Sequence, residues 1–196
     1  MKITLVLSHP DDEIIFGWPI FQNFKEYEKE LIVCSNDKNN LKRTWCKNRY
    51  IPLSLVCKDL DINHTCLDYD SEFYRMTTRD ESLKRMIDDV IVNIEKTKPD
   101  YIFTHNSIGE YGHLDHILVN NICSRLNYPL LTSDIVINNN WMSLNDVNFR
   151  YNRNMMFLEN CENDLIWYDR FERIYRDYKV WTWNQAPIMK CNIYLQ

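Results

Sequence analysis

The sequence predicts an α/β fold with a mostly parallel central sheet. Three observations carry that expectation. Apolar runs of strand length recur at residues 3–7, 31–34 and 101–104, and such runs, bounded by polar residues, read as buried strands. Longer segments of helical composition separate them, the clearest at residues 81–96. Strands that alternate with helices need crossover connections, which make neighbouring strands parallel.

Taken in order, residues 3–7 (ITLVL) are the first strand, and residues 13–29 follow as a helix with Pro19 near its start or at a kink. Residues 31–34 form the second strand, and the polar stretch 36–40 a loop. A helix over 41–60 is interrupted or bent by Pro52, and residues 65–67 are a third strand. On the helix at 81–96, Leu83, Met86, Ile87, Val90, Ile91 and Ile94 make one continuous apolar stripe. Thr78 and Glu81 give it a capping-box pattern, and Pro99 marks its end. Residues 101–104 are the next strand, 106–112 a loop, and 114–126 a helix with Ile117, Leu118, Asn121, Ile122 and Leu126 on its buried side. Strands at 135–137 and 155–158, an aromatic amphipathic helix at 164–178 and a last strand at 189–195 complete the chain. No repeat, low-complexity stretch or linker divides it, so residues 1–196 are expected to form one domain.

Composition narrows the function. A net charge of -5 offers no basic footprint for nucleic acid. No apolar stretch approaches the roughly 18 residues of a membrane span. Five apolar residues precede His9, too few for the core of a signal peptide. A cytoplasmic protein is the expectation. The seven cysteines are odd in number and contain no Cys-x-x-Cys pair, which argues against a disulfide framework or a cysteine zinc knuckle and for buried small hydrophobes. Gly17, Gly109 and Gly112 lack the spacing of a phosphate-binding loop.

Two polar clusters stand out against this background. His9, Pro10, Asp11, Asp12 and Glu13 follow the first strand directly, and His113, Leu114, Asp115 and His116 follow the strand at 101–104 and its loop. In open α/β sheets, ligands bind beyond the carboxyl ends of the strands. A catalytic zinc ion takes three ligands from His and Asp or Glu and keeps one position for water. His9 and Asp12 lie three residues apart on a turn, and His116 supplies a third donor. Asp11 is then left beside the metal site as a general base. His113 is placed over the substrate, with Asp115 holding its imidazole in the charged form. A lone aspartate before a helix is ordinarily an N-cap, and a lone buried histidine a satisfied core residue. Capping needs one carboxylate, though, not two beside a histidine. Glu13 is left outside the catalytic set, as a first-turn residue at the positive end of a helix or as a support behind the residues that do the chemistry.

These residues also carry a resemblance. The segment SHPDDE at 8–13, the segment KPDYIFTH at 98–105 and the segment GEYGHLDH at 109–116 resemble the PIG-L/LmbE family of metal-dependent de-N-acetylases. The resemblance covers about the first 125 residues in matching order. It implies a Rossmann-like three-layer fold and removal of acetyl groups from N-acetylglucosaminyl conjugates, usually with zinc. It further implies His9, Asp12 and His116 as ligands, Asp11 as base, and His113 as the group that steadies the oxyanion or protonates the leaving amine. Zinc is the expected ion, and ferrous iron or another divalent cation suits the same donors. The family's Gly-Glu loop reads SNDKNN here at 35–40, and the family's Arg-Glu pair reads Arg49 followed by Tyr50, Ile51 and Pro52. Arg49 is retained as a substrate contact. The departures fall in the substrate pocket rather than at the metal.

The expected reaction is hydrolysis of an N-acetylated amino-sugar conjugate, a small molecule, to acetate and a free amine. Its rivals are an amidase for another acyl group, a non-catalytic glycan-binding relic, and a metal phosphoesterase. The last would want two metals about 4 Å apart. In the C-terminal third, Trp167, Phe171, Ile174, Tyr175 and Tyr178 recur at helical spacing and read as core. Trp181 and Trp183 need not share a face, and suit sugar stacking, packing or an oligomer contact. Trp141 sits by a turn-rich run of Asn138, Asn139 and Asn140. The charge runs Lys42-Arg43 and Asp169-Arg170 read as solvated faces.

Overall fold

The computed structural model of the protein describes residues 1–36, 48–76, 81–137 and 155–196. Seven strands form one sheet: β1 (Lys2–Leu7), β2 (Glu28–Ser35), β3 (Asn63–Tyr69), β4 (Tyr101–Thr104), β5 (Leu130–Ser133), β6 (Met156–Glu162) and β7 (Lys190–Leu195), in the order β3-β2-β1-β4-β5-β7-β6. The first five are parallel; β7 runs antiparallel to both β5 and β6. Between them come helices α1 (Asp12–Ile15), α2 (Trp18–Asn23), α3 (Tyr50–Asp59), α4 (Glu81–Thr97), α5 (Gly109–Gly112), α6 (Leu114–Cys123) and α7 (Leu165–Asp177).

Strand periodicity explains the three layers. Ile3, Leu5, Leu7, Leu31 and Val33 point to one face, where they bury Ile14, Phe16 and Trp18 of the α1–α2 stretch, Leu53 and Val56 of α3, and Phe171 and Tyr175 of α7. Val6, Ile32 and Cys34 point to the other, against Met86, Val90 and Ile94 of α4 and Val119 and Ile122 of α6. Successive side chains on a strand alternate faces, so each central strand feeds both cores. The chain leaves β1 toward β2 on one side, while β4 lies on the other. The crevice where strand order reverses is therefore at the carboxyl ends of β1 and β4, where both polar clusters begin.

Several expected elements differ. The helix expected over 13–29 breaks at Gly17 into α1 and α2, and β2 starts at Glu28 rather than at 31. The backbone approach at the break requires glycine: a Cβ on Gly17 would stand 2.7 Å from the Glu13 carbonyl oxygen. Gly17→Ala should therefore cost about 1–3 kcal/mol, read as a lower urea midpoint at unchanged m-value. Pro52 does not interrupt α3. It is the third residue of a helix that begins at Tyr50, within the first turn, where no helical N–H bond is lost. Residues 41–47 of that expected helix lie outside the described residues, as do Thr78, Trp141, Asn138 to Asn140 and the Lys42-Arg43 run. The strand expected at 135–137 is irregular, and β5 instead spans Leu130–Ser133. Helix α6 ends at Cys123, and Asn121 is exposed while Asn120 is buried. On α7, Tyr168 joins Phe171 and Tyr175 inside, whereas Tyr178 is exposed. Arg170 on its outer face pairs with Asp59 of α3 at 2.5 Å. Cysteines 34, 57, 123, 161 and 191 are buried free thiols. Among the described residues no helix is long and apolar enough to cross a membrane.

Candidate metal centre

Directly beyond β1 the chain makes a tight turn with Asp11 at φ 95°. This left-handed conformation costs an L-residue about 1–2 kcal/mol, least for Asn and Asp. Hydrogen bonds hold it. The His9 N–H donates to Asp12 Oδ2 at 2.8 Å, and the Asp11 N–H to Glu13 Oε2 at 2.9 Å. Tyr175 on α7 donates its hydroxyl to the other Glu13 oxygen at 2.6 Å. Glu13 stands in the first turn of α1, as expected. It is fully buried and braces the turn from beneath.

The turn brings Asp12 and His9 against His116 near the start of α6. His9 Nδ1 lies 3.3 Å from Asp12 Oδ2 and 3.3 Å from His116 Nε2, and His116 Nε2 lies 3.5 Å from Asp12 Oδ2. Bonds of about 2.0–2.1 Å at a tetrahedral zinc place ligand atoms roughly 3.3–3.4 Å apart. The three donors expected to bind metal therefore form a triangle of the required size. Their charge also suits a cation. Against the penalty of burial, the Asp115 and Asp12 carboxylates raise His9 to about 9. Despite burial, the neighbouring imidazoles hold Asp12 well below the usual carboxylate range.

Two further donor groups cluster here, His9 with His113 and His116, and Asp12 with His105 and His116. His105 stacks on His116 with ring centroids 3.7 Å apart. Its Nε2 accepts the Ser8 N–H at 3.0 Å, so the lone pair that would meet a metal is already engaged. In His113 the Nδ1 accepts the Asp115 N–H at 3.3 Å. The neutral ring then carries its hydrogen on Nε2.

Asp115 is the main correction. It was expected to hold His113 charged. Instead its Oδ2 lies 3.1 Å from His9 Nε2, and its two oxygens accept the backbone N–H groups of Glu72 (2.7 Å) and Tyr74 (2.9 Å). Residues two apart at a helix start do not face each other. Asp115 thus orients His9 by its far nitrogen and leaves Nδ1 for the triangle. His113 lacks that carboxylate, and burial together with the His116 and His9 imidazoles lowers its pKa to about 3. It stands over the site as a neutral N–H donor rather than a charged one.

Asp11 does not join the triangle. One carboxylate oxygen accepts the Thr182 hydroxyl at 2.6 Å, and the other receives the Arg49 guanidinium at 2.5 Å. Burial raises its pKa and Arg49 only partly offsets this, which suits a proton acceptor. Arg49, expected at the substrate, is 3% exposed and also donates to the Pro10 carbonyl. The structure ties it to Asp11.

His9, Asp11, Arg49 and His113 line a pocket of about 330 Å³ whose aromatic wall is Phe16, Tyr111 and Trp183. Trp183 is 8% exposed, with its ring 5.6 Å from Phe16 and 6.0 Å from Tyr111. Trp181 faces away from the pocket, against Tyr168 and Tyr175. A larger groove of about 570 Å³ lies at the opposite ends of β2 and β3, between Lys25, Glu28 and Asn63, and contains no histidine. Sequence reasoning missed His105, Glu110, Thr182 and Tyr111 as neighbours of the site. The segment that reads KPDYIFTH ends on His105, and the segment GEYGHLDH contains Glu110 and Tyr111, so three of the four lay in stretches that carry the resemblance; Thr182 had no such signal.

Known proteins resemble this chain in sequence and in fold. A family profile described as PIG-L: GlcNAc-PI de-N-acetylase matches residues 4–127. Over 139 residues, 65% of the chain, the sequence is 22% identical to an uncharacterized protein of Acanthamoeba polyphaga mimivirus, and it spans 58% of that protein's length. A deacetylase of teicoplanin biosynthesis, crystallised with teicoplanin, superposes with a TM-score of 0.65 at 10% identity, over 100% of this chain and 97% of that one. The N,N'-diacetylchitobiose deacetylase of Pyrococcus horikoshii, complexed with its inhibitor, superposes with a TM-score of 0.59 at 13% identity, over 92% of this chain and 71% of that one. At such identities the two structural likenesses are of fold.

Proposed function

We propose, from the premise that the chain belongs to the PIG-L family of de-N-acetylases, that it is a metal-dependent hydrolase removing the acetyl group from an N-acetylated amino sugar. The observation that carries the reading is the donor triangle of His9, Asp12 and His116, with edges of 3.3 to 3.5 Å, two of whose members line one pocket with the carboxylate of Asp11. We take residues 1–196 as a single domain, because β7 and β6 extend the sheet of the family-matched region. We place the protein in the cytoplasm, where its free thiols stay reduced.

His9 Nδ1, Asp12 Oδ2 and His116 Nε2 would hold the ion, zinc or another divalent cation such as ferrous iron. A cation bound there supplies the Lewis acidity that polarises an amide carbonyl and acidifies water. Asp11 takes the proton of the attacking water on its carboxylate. Arg49 and Thr182 hold that carboxylate in place meanwhile. His113 donates its Nε2–H to the carbonyl oxygen as negative charge develops there. The proton held on Asp11 passes to the amide nitrogen, the C–N bond breaks, and acetate and a free amine leave. Trp183, Tyr111 and Phe16 line the pocket as an apolar wall that excludes water and suits the apolar side of a sugar.

The test is acetate release by the zinc- or iron-loaded protein from a panel of N-acetylglucosamine conjugates, with the free amine measured in parallel. Equal amounts of acetate and amine are expected from at least one conjugate. Release of a different acid from other N-acyl substrates would instead favour the amidase reading. A protein that binds no metal and releases no acid would favour a glycan-binding relic.

A further inference from the structure

We propose that Glu110 is a positioning residue of the metal centre, whose carboxylate fixes His116 and His105 as one rigid unit and aims His116 Nε2 at the ion. The proposal rests on the metal reading above. Glu110 is fully buried, and its Oε2 accepts from His116 Nδ1 at 2.6 Å and lies 3.2 Å from His105 Nδ1. The two rings are stacked with planes 16° apart, so one oxygen meets the same edge of both. With a carboxylate on Nδ1, the His116 hydrogen stays on that side and the Nε2 lone pair faces His9 and Asp12. A flipped ring would lose this bond and turn carbon toward the triangle. Asp115 does the same for His9 from the opposite side. Each metal-facing imidazole is thus backed by a carboxylate on its far nitrogen, an arrangement that sets ring orientation and strengthens the ligand.

The backbone at Glu110 argues that the carboxylate is there for more than packing. Its φ of 55° and ψ of -55° lie outside the regions open to L-residues, a strain of about 1–3 kcal/mol. Three bonds impose that conformation. Asn106 Oδ1 accepts the Glu110 N–H at 3.0 Å, Glu110 Oε1 accepts the Asn106 N–H at 3.1 Å, and the Glu110 carbonyl accepts the Ile137 N–H at 2.9 Å. Asn106 is itself anchored to the Ile135 carbonyl at 2.7 Å, just beyond β5. A glycine would adopt these angles freely. The strained position nonetheless carries a side chain that meets the Nδ1 edge of both imidazoles, while Asp12 lies on their Nε2 side.

Glycine also separates the two roles. Glu110→Gly relieves the backbone while deleting the carboxylate, and Glu110→Gln keeps an acceptor without the charge. The metal-stripped wild type and both variants are titrated with Co²⁺ alone, following its visible absorption, and their melting is recorded without metal. The expected result is a Co²⁺ affinity about 10- to 100-fold lower in Glu110→Gly, an altered band shape, and a metal-free melting temperature within a few degrees of wild type. Glu110→Gln should lose less affinity than Glu110→Gly. Affinities within threefold of wild type in both variants would overturn the proposal. So would an affinity loss matched by an equal loss of metal-free stability, since that marks a structural role. If Glu110→Gly does not fold, Glu110→Gln alone decides: an affinity loss with unchanged metal-free melting supports the proposal, and unchanged affinity overturns it. A wild type that binds no Co²⁺ would overturn the metal reading itself, an outcome distinct from wild-type affinity in the variants.

Discussion

Asp11→Asn is expected to lower turnover by about 10²- to 10⁴-fold while the protein keeps its metal. The separation follows from geometry. Asp12 contributes an oxygen to the donor triangle, whereas both oxygens of Asp11 point to Arg49 and Thr182. Asparagine is the informative replacement because position 11 sits at φ 95°, which asparagine tolerates and alanine does not. The amide is isosteric and cannot hold the transferred proton. Its NH₂ must also face one of two donors, so a modest stability loss accompanies the kinetic one. Steady-state rates and metal content on the same preparation check the prediction. Near-normal turnover would remove Asp11 from the base role, and loss of metal together with activity would put it among the ligands.

The parts of the fold legible in the sequence are those where one physical signal dominates. Strands β1, β2 and β4 lie in the sheet interior and read as predominantly apolar runs, as doubly covered strands should. The stripe on α4 has a period that only a helix fits. Strand β6 is exposed on most of its length, with a burial pattern of little periodicity, and so offered only part of its extent. Strand β5 is four residues long between Pro129 and an irregular segment. Its identity comes from pairing with β4 and β7, which local composition does not encode.

The site divides in the same way. His9, Asp12, His113 and His116 are legible because each follows directly on a strand, loop or helix start that delivers it to the switch point. Asp115 was legible as important but assigned to the wrong histidine. Nearness in sequence suggested His113, while the i, i+2 relation directs its carboxylate to His9, 106 residues away. Glu110 and Thr182 act across contacts that no spacing rule anticipates. Thr182 lies outside the family-matched region and reaches Asp11 from 171 residues further along the chain. The chemistry is thus written in two short motifs, and the residues that tune it are supplied by the tertiary fold.

Removing the third donor should have the largest effect of all. His116→Gln is expected to abolish stable zinc binding and to reduce turnover to background, because His9 Nδ1 and Asp12 Oδ2 alone fall short of the three protein ligands of a catalytic zinc site. Glutamine is preferred to alanine for a structural reason. His116 is fully buried, stacked on His105 and on His113, and donates to Glu110. Alanine would leave a cavity and strand a buried carboxylate, at a cost of several kcal/mol, so lost activity could not be separated from lost fold. Glutamine fills much of the space and can still donate to Glu110. The paired control is wild type stripped by chelator. Its turnover should vanish and return on adding about one equivalent of a divalent ion, and its melting temperature should rise with metal. The rise corresponds to about 2.7 kcal/mol when free metal is a hundredfold above its Kd. Neither recovery nor rise should occur in His116→Gln. A stripped wild type that keeps its turnover, or melts identically with and without metal, would show that the triangle at the ends of β1 and β4 is not where this chain does its chemistry.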